Sequence, residues 1–276
     1  MMLRSALCLL FMATISFASM PDDYILYYNM DDGQIADSSA NGFDPQNSYN
    51  LATTEDRHGN ATGATYFNGT NAYAIGPNED LLFGNTPPVA TSMFTWVKFD
   101  TLRHTYFLNT YYSTSGNDDR FLAELRLHMR DHGLAQKTRI RSGGYYFDTD
   151  LPMNGVNDVM ADLWYHVGFT LDQANQVMTA YLNGQAVGFA TGSQVPAGVD
   201  YTEGDPLMIG ATWFQGVLNS PLHGAMDDIV IYDRELSESE VNALFLDDPS
   251  ASPIPLPAAV FGGSLMIGAL LRRRHP

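Results

Sequence analysis

The residues of this chain that could do chemistry are carboxylates. Asp227 and Asp228 stand side by side at the mouth of an apolar run, "AMDDIVIYD". Two adjacent acids there could ligate a hard cation, exchange protons with a substrate, or close a turn. A second cluster of proton-carrying groups, Glu124, His128 and Asp131, lies in "AELRLHMRDH". Glu124, Arg126 and His128 share one face of a strand. A retaining glycosidase needs two carboxyl groups about 5 Å apart, and no second carboxylate stands two residues from Glu124. A salt-bridged outer strand face accounts for this cluster better than a catalytic pair does. The seven histidines form no ligand spacing, and His166 in "WYHV" reads as a packing residue. The chain has no Gly-x-Ser-x-Gly, His-Glu-x-x-His or phosphate-loop motif, so the residue set points away from catalysis.

Aromatic side chains suggest binding instead. Tyr111, Tyr112, Tyr145, Tyr146 and Trp213 fall in or beside predicted loops. An aromatic ring with a polar tip can stack on a sugar and still hydrogen-bond. These five are the candidate ligand-binding residues, for a carbohydrate or for a surface protein. Trp96 and Trp164 lie inside apolar strand patterns and read as core.

The elements that must position these groups read as strands with turn punctuation. Strands are expected within 22–30, 63–77 (two), 92–100, 120–131, 137–142, 205–211 and 223–233, with "DSSANGFDPQNS" (37–48) a polar loop. In "SMFTWVKFD" Met93, Thr95 and Val97 face one way, and Phe94, Trp96 and Lys98 the other. Residues 163–190 hold two hairpins, the second turning on Asn183-Gly184, a strong type I′ signal. One helix is expected, over about 238–245, with a Ser237/Glu240 capping box and a Leu236/Val241 staple. Short strands separated by Gly, Asn and Asp predict an all-β, two-sheet antiparallel sandwich closed by one short C-terminal helix.

The ends of the chain predict export. Residues 1–18 carry Arg4, an apolar run from Ala6 to Ala13, and small residues Ser16 and Ala18 at signal-peptidase spacing. Cys8, the only cysteine, lies inside this segment, so the mature chain has no thiol for disulfides, catalysis or metal. At the other end a proline cluster precedes an apolar run, 258–271, and then Arg272–Arg274. As a helix that run is roughly 21 Å long at 1.5 Å per residue, short of a bilayer core of about 30 Å. The trailing arginines suit a cytoplasmic end. The whole chain is acidic, with 31 acidic against 14 basic residues and a net charge of −17, and setting aside Arg4 and Arg272–Arg274 makes the remainder more acidic still. Nucleic acid and anionic lipid are therefore disfavoured as partners.

Two resemblances follow. "IPLPA" (254–258), the short apolar helix and the arginines resemble a PEP-CTERM sorting signal of the VPLPA type. That implies a Gram-negative envelope, an exosortase-type processing enzyme, and transient insertion of the C-terminal helix in the inner membrane. The ordered set "DSSANG", "GATYFNGTNAYAIG", "FTWVKF", "WYHVGFTLD", "AYLNGQAV", "LMIG" and "HGAMDDIVIYDRELSESEVNALF" resembles the LamG-like jelly roll of the concanavalin A-like lectin/glucanase superfamily. Segment 101–162 carries no matching motif. The expected organisation is a signal peptide at 1–18, a jelly-roll domain at 19–248, a linker with the sorting motif at 249–257, and the sorting helix at 258–276.

The LamG-like pattern turns Ile229 and Ile231 inward, which points Asp227 at the core and leaves Asp228 at the surface. A buried carboxylate must be paired, hydrogen-bonded or metal-bound. The resemblance implies a structural Ca²⁺ at the sandwich edge, held by Asp227 with Asp31, Asp32 and Asp37 as co-ligands by analogy. A carboxylate capping backbone amides satisfies the same rule. Glycosidases on this fold carry a Glu-x-Asp-x-Glu run that is missing here, so the resemblance implies an exported, non-catalytic binding domain.

Overall fold

A computed structural model of the chain describes residues 20–83, 90–110, 112–113, 124–130, 133–142, 145–150, 159–191 and 205–246. Tyr111, Asp131 and the expected signal and sorting segments lie outside the described residues. The N-terminal elements are β1 (Leu26–Tyr28), β2 (Asn47–Tyr49), β3 (Ala52–Thr54), β4 (Ala64–Asn68), β5 (Tyr73–Asn78) and α1 (Glu79–Phe83). Next come β6 (Ala90–Phe99), β7 (Thr105–Asn109), β8 (Tyr112–Ser113), β9 (Glu124–Arg130), β10 (Gly133–Ser142), β11 (Tyr145–Asp150) and β12 (Trp164–Asp172). The chain continues through β13 (Val177–Leu182), β14 (Gln185–Thr191), β15 (Pro206–Ile209), β16 (Thr212–Phe214), β17 (Val217–Asn219), β18 (His223–Tyr232) and α2 (Glu238–Leu246).

These strands form a sandwich. One sheet runs β14-β13-β12-β6-β18-β4-β3, with β1 added against β18, and the other runs β11-β10-β9-β7-β15-β5-β2. A small third sheet, β17-β16-β8, is hydrogen-bonded separately from both. Within the two large sheets the pairings among the described residues are antiparallel. The first and last strands are neighbours, β1 pairing Leu26 with Ile231 and Tyr28 with Ile229. Segment 101–162, without a family motif, supplies β7 to β11.

The alternation of β6 holds. Met93, Val97 and Phe99 meet Met226, Ile229 and Ile231 from the same sheet and Phe107, Leu125, Leu207 and Ile209 from the other. Each such fully buried side chain contributes about 1.5–3 kcal/mol. Phe94, on the opposite face, joins Tyr181, Val230 and Tyr232 beneath Val241 and Leu244 of α2. The sheet therefore buries both faces, one against its partner sheet and one under the helix.

The local signals act as expected. Asn183 (φ 50°) and Gly184 (φ 74°) make the β13–β14 turn with two positive φ angles, the type I′ requirement. The Glu240 carboxylate accepts the Ser237 backbone amide at 2.8 Å, and the Ser237 hydroxyl accepts the Glu240 amide at 3.3 Å. Leu236 and Val241 are both buried, as the staple requires. Arg234 ties this helix start to the domain's first residues, reaching Asp23 and Glu240, each at 2.8 Å. Two expectations need correction. Trp164 is only partly buried, because it stands opposite Lys98 at a strand end, with the ammonium 5.2 Å from its ring. Residues 47 and 48, expected in a loop, open β2, paired with β5.

Candidate binding site

The acid pair does not face the way the alternation predicted. Asp227 is buried, 3% exposed, but on the outer face of its sheet, opposite Trp96. A bulge interrupts the β18–β6 ladder between Asp227 and Val230, and Asp228 takes the left-handed conformation there (φ 47°). One extra residue inverts the phase of a strand. Met226, Ile229 and Ile231 consequently point into the core, and Asp227 does not.

The cation beside this pair is a guanidinium. Arg57 Nη1 contacts the Asp227 carboxylate and Nη2 lies 2.6 Å from Asp228 Oδ2. The Arg57 carbon Cζ sits 4.9 Å from the centre of the Trp96 ring, and the Tyr27 hydroxyl donates to Asp228 Oδ1 at 2.7 Å. Asp228, half-buried, is thus a partner in the same clamp. Burial lifts the Asp227 carboxyl well above the usual range, Asp228 adds to this, and Arg57 pulls it back. Arg57 is held in place by its own turn, in which Asp56 accepts the amides of His58 at 2.7 Å and Asn60 at 2.9 Å.

Of the expected calcium ligands, Asp31 lies near enough to Asp227 and Asp228 for the charges to act on one another, whereas Asp37 is engaged by its own loop. Asp37 accepts the amides of Tyr27 (3.1 Å), Ser39 (2.9 Å) and Phe43 (2.7 Å) and the Ser39 hydroxyl (2.6 Å). Burial pushes Asp37 up, but these hydrogen bonds outweigh it and hold the carboxyl below its ordinary value. Asp31 takes the Asn29 amide at 3.1 Å, and burial together with Asp228, Asp32 and Asp56 raises it. Asp32 is bonded by Thr62 at 2.8 Å. Among the described residues no group of three or more His, Cys, Asp or Glu is arranged to hold a metal. The described carboxylates are engaged by the guanidinium and the loop amides.

His166 packs as its sequence context implies. Its ring stacks on Phe94 at 5.3 Å and lies 5.2 Å from Trp96 and 6.0 Å from Phe245 of α2. Burial, with a smaller push from Arg57, lowers its pKa to about 3, so it is neutral. Glu124 and His128 lie on β9, where Leu125 and Leu127 are buried.

A different feature is built for contact. Tyr49, Tyr73 and Trp213 form a row of rings on the side of β5 away from the buried Ala74. Tyr49 stacks on Tyr73 with centroids 4.6 Å apart and planes 21° apart, and Trp213 lies 6.1 Å beyond, tilted 46°. Tyr49 is 39% exposed, and the other two are half-buried. Tyr73 buttresses its neighbours, which lowers the entropy a ligand would have to remove from either.

Each ring is positioned by turn chemistry. Asn68 Oδ1 accepts the amides of Thr70, Asn71 and Ala72, at 2.9, 2.9 and 3.1 Å, and so launches β5 at Tyr73. Asn50, at φ 52°, ends β2 after Tyr49 and donates to the Asn71 carbonyl at 3.0 Å. Trp213 stands on the β16–β17 hairpin, turned by Gln215 (φ 52°) and Gly216 (φ 77°), with the buried Asn109 donating to Ala211 at 2.9 Å. Gly210 enters this hairpin at φ 81° against the Phe67 ring, where a Cβ would come within 2.2 Å.

Of the predicted ligand residues, the structure brings Trp213 and Tyr112 together, paired in register between β16 and β8. Tyr145 and Tyr146 lie on β11, the opposite end of the sheet from β2 and β5. Tyr49 and Tyr73 were not anticipated. The signal for Tyr73 was its alternation with Ala74; Tyr49 had none, because it sits in a polar stretch.

An antiparallel sandwich with a helix on one outer face and an aromatic row defines a lectin-like, all-β class of domain. A laminin G-type profile of the concanavalin A-like lectin/glucanases superfamily matches residues 68–242. The chain belongs to that superfamily. No curated protein matches it. Among solved structures it is similar to domain 4 of AbnA, a GH43 extracellular arabinanase from Geobacillus stearothermophilus, in complex with arabinotriose. Identity there is 20% and the TM-score 0.58, over 80% of this chain and 98% of that one. It is also similar to the binding domain of Paraclostridial Mosquitocidal Protein 1, with 19% identity, TM-score 0.61, and 81% and 52% coverage. The binding domain of botulinum neurotoxin DC in complex with SialylT gives 13%, 0.59, and 81% and 51%. The chain thus spans about half of each toxin domain. At these identities the likeness establishes the fold.

Proposed function

We propose that this chain is an exported, non-catalytic domain that binds carbohydrate at the cell surface. The observation that carries this is the Tyr49–Tyr73–Trp213 row, three contacting rings on an outer face with Tyr49 substantially exposed. Such rings cover the apolar faces of sugars while their polar tips stay in reach of hydroxyl groups. The Arg57 clamp argues against hydrolysis, since two carboxylates held on one guanidinium are not free to exchange protons with a substrate. Domain 4 of the arabinanase, seen with arabinotriose, supports the carbohydrate reading, and the signal-like and sorting-like ends support export through an exosortase-type route. The test is affinity electrophoresis through gels containing polysaccharides. Retardation should be lost in Trp213→Ala and kept in Phe189→Ala. Equal retardation of both variants would overturn the site.

A second reading, a protein partner, is favoured by Phe189. It is 74% exposed on β14, the end strand of its sheet, and an exposed apolar side chain there can anchor another chain. In that case Phe189→Ala would lose binding and Trp213→Ala would keep it.

A further inference from the structure

We infer that a second, smaller site lies beside α2 and takes one protonated amino sugar; it is separate from the aromatic row and does not rest on it. The helix covers part of the outer face of its sheet through Val241 and Leu244. Between its first turns and the β13–β14 hairpin a recess of about 400 Å³ remains. Tyr181, Gly184 and Gln185 line it from the hairpin side, and Glu238, Ser239 and Asn242 from the helix side. Small-molecule sites occupy roughly 300–1,000 Å³, so the space suits a single ring with its substituents.

Both walls are fixed before a ligand arrives. Asn183 Oδ1 accepts the His166 amide at 3.0 Å, and the Asn183 amide donates to the His166 carbonyl at 2.7 Å. Gly184 stands so near the helix that a Cβ there would come within 2.9 Å of the Phe245 side chain. On the other side the Ser237/Glu240 capping box and the Arg234–Asp23 contact hold the start of α2. A space between two fixed elements costs little further ordering when it is filled.

The lining selects the ligand. Two acids stand in the first turn of α2, and they are used differently. Glu240 is taken by Arg234 and Ser237. Glu238, at the recess, has no hydrogen bond or ion pair among the described residues. None of the lining residues is Lys, Arg or His. Glu235 stands on the same side, since its charge and that of Glu238 both act on the Tyr181 hydroxyl. A carboxylate without a cation, in a recess that holds less water than open surface, favours an ammonium group. The half-buried Asn242 amide also has no partner among the described residues, and the Gln185 amide reaches no further than the Gly184 carbonyl, at 3.5 Å. Two amides and the Ser239 hydroxyl can each donate and accept, as sugar hydroxyls do. A polyamine would leave those amides unanswered, and a neutral sugar would bring Glu238 no charge. A hydroxylated ring bearing one ammonium meets both.

Isothermal titration and saturation-transfer NMR on the full chain test this, with glucosamine, glucose and N-acetylglucosamine as probes at about pH 6, where a free amine is protonated. Glucosamine should bind about three- to fivefold more tightly than the other two, the range of a partly exposed ion pair. That preference should shrink between about 0.05 and about 0.5 M NaCl. Glu238→Gln keeps the shape and removes the charge, so it should abolish the preference. Asn242→Ala should weaken glucosamine binding as well. Glu238 is exposed and Asn242 half-buried, so neither change puts the fold at risk. Trp213→Ala should bind glucosamine as the parent does. Equal affinity for glucosamine and glucose, or a preference that survives Glu238→Gln, would overturn the assignment. Glucosamine binding that disappears in Trp213→Ala would overturn the second site by moving the ligand to the aromatic row. Absence of binding by all three sugars would overturn it too, while the polysaccharide reading would still stand or fall on its own gels.

Discussion

Replacing Arg57 with methionine isolates what the guanidinium does for the carboxylate pair. The Asp227 side chain is 4% exposed and that of Arg57 14%, so the substitution leaves a buried charge without its partner. Breaking a buried pair from one side costs about 3–5 kcal/mol. The Asp228 contact, 23% exposed, adds little, since such pairs are worth about 0–1 kcal/mol. Lost stacking on Trp96 adds about 0.5–1 kcal/mol. For a domain of this size each kcal/mol moves Tm by about 2–4 °C, so about 3.5–6 kcal/mol gives a fall of roughly 7–24 °C. The loss has a pH signature. Burial already raises the Asp227 carboxyl, and Arg57 opposes that rise. Without Arg57 the folded-state pKa climbs further above the unfolded value. A group raised in this way supports the fold below its unfolded pKa and loses that support as pH rises through its folded pKa. The wild-type carboxyl already stands at about 8, so Arg57→Met should be most damaging at about pH 9.5 and partly recover at about pH 6. Adding Asp227→Asn should restore most of the loss, because an amide needs no counter-charge. Chemical denaturation of the four proteins in the cycle, at both pH values, measures the coupling. A coupling below about 0.5 kcal/mol, or a loss equal at both pH values, would refute the argument.

Further outcomes follow from neighbouring features. His166 is neutral when folded, with its pKa lowered by burial to about 3, so the unfolded chain binds its proton first. Stability should be fully present above about pH 6.5 and drain below it by up to about 1.4 kcal/mol per pH unit; His166→Phe should flatten that slope in denaturant melts. Gly210→Ala should cost more than about 1 kcal/mol, since it places a Cβ at φ 81° within 2.2 Å of the Phe67 ring, and it should weaken polysaccharide retention by displacing Trp213. Ser237→Ala should cost about 1 kcal/mol by removing the cap of α2, read as a small drop in Tm with binding unchanged. Calcium or EDTA should leave the wild-type midpoint where it is, because Arg57 already neutralises Asp227; a calcium-induced rise would mean that a divalent ion engages these acids in place of the guanidinium.

What could be read in the sequence, and what could not, divides by range. The α2 capping box, the Asn183-Gly184 turn and the alternation of β6 depend on residues a few positions apart, and all three stand as read. The orientation of Asp227 depended on the phase of β18, and a single left-handed residue, Asp228, inverted it. Nothing in "MDDIVIY" fixes which residue bulges, because either aspartate can take the left-handed conformation. Arg57 lies 170 residues from Asp227, in a turn whose charged residues have no local pattern, so the partner of the pair was invisible until the fold joined them. The aromatic row shows the same limit from the other side. Trp213 stood out for its size, but its significance comes from Tyr73 and Tyr49, which three separate turns deliver to it. Tyr145 and Tyr146 looked equivalent in the sequence and lie at the far end of the sheet. A binding surface assembled across strands is a property of sheet order, so the rings acquire meaning only once β2, β5 and β16 are known to bring them together.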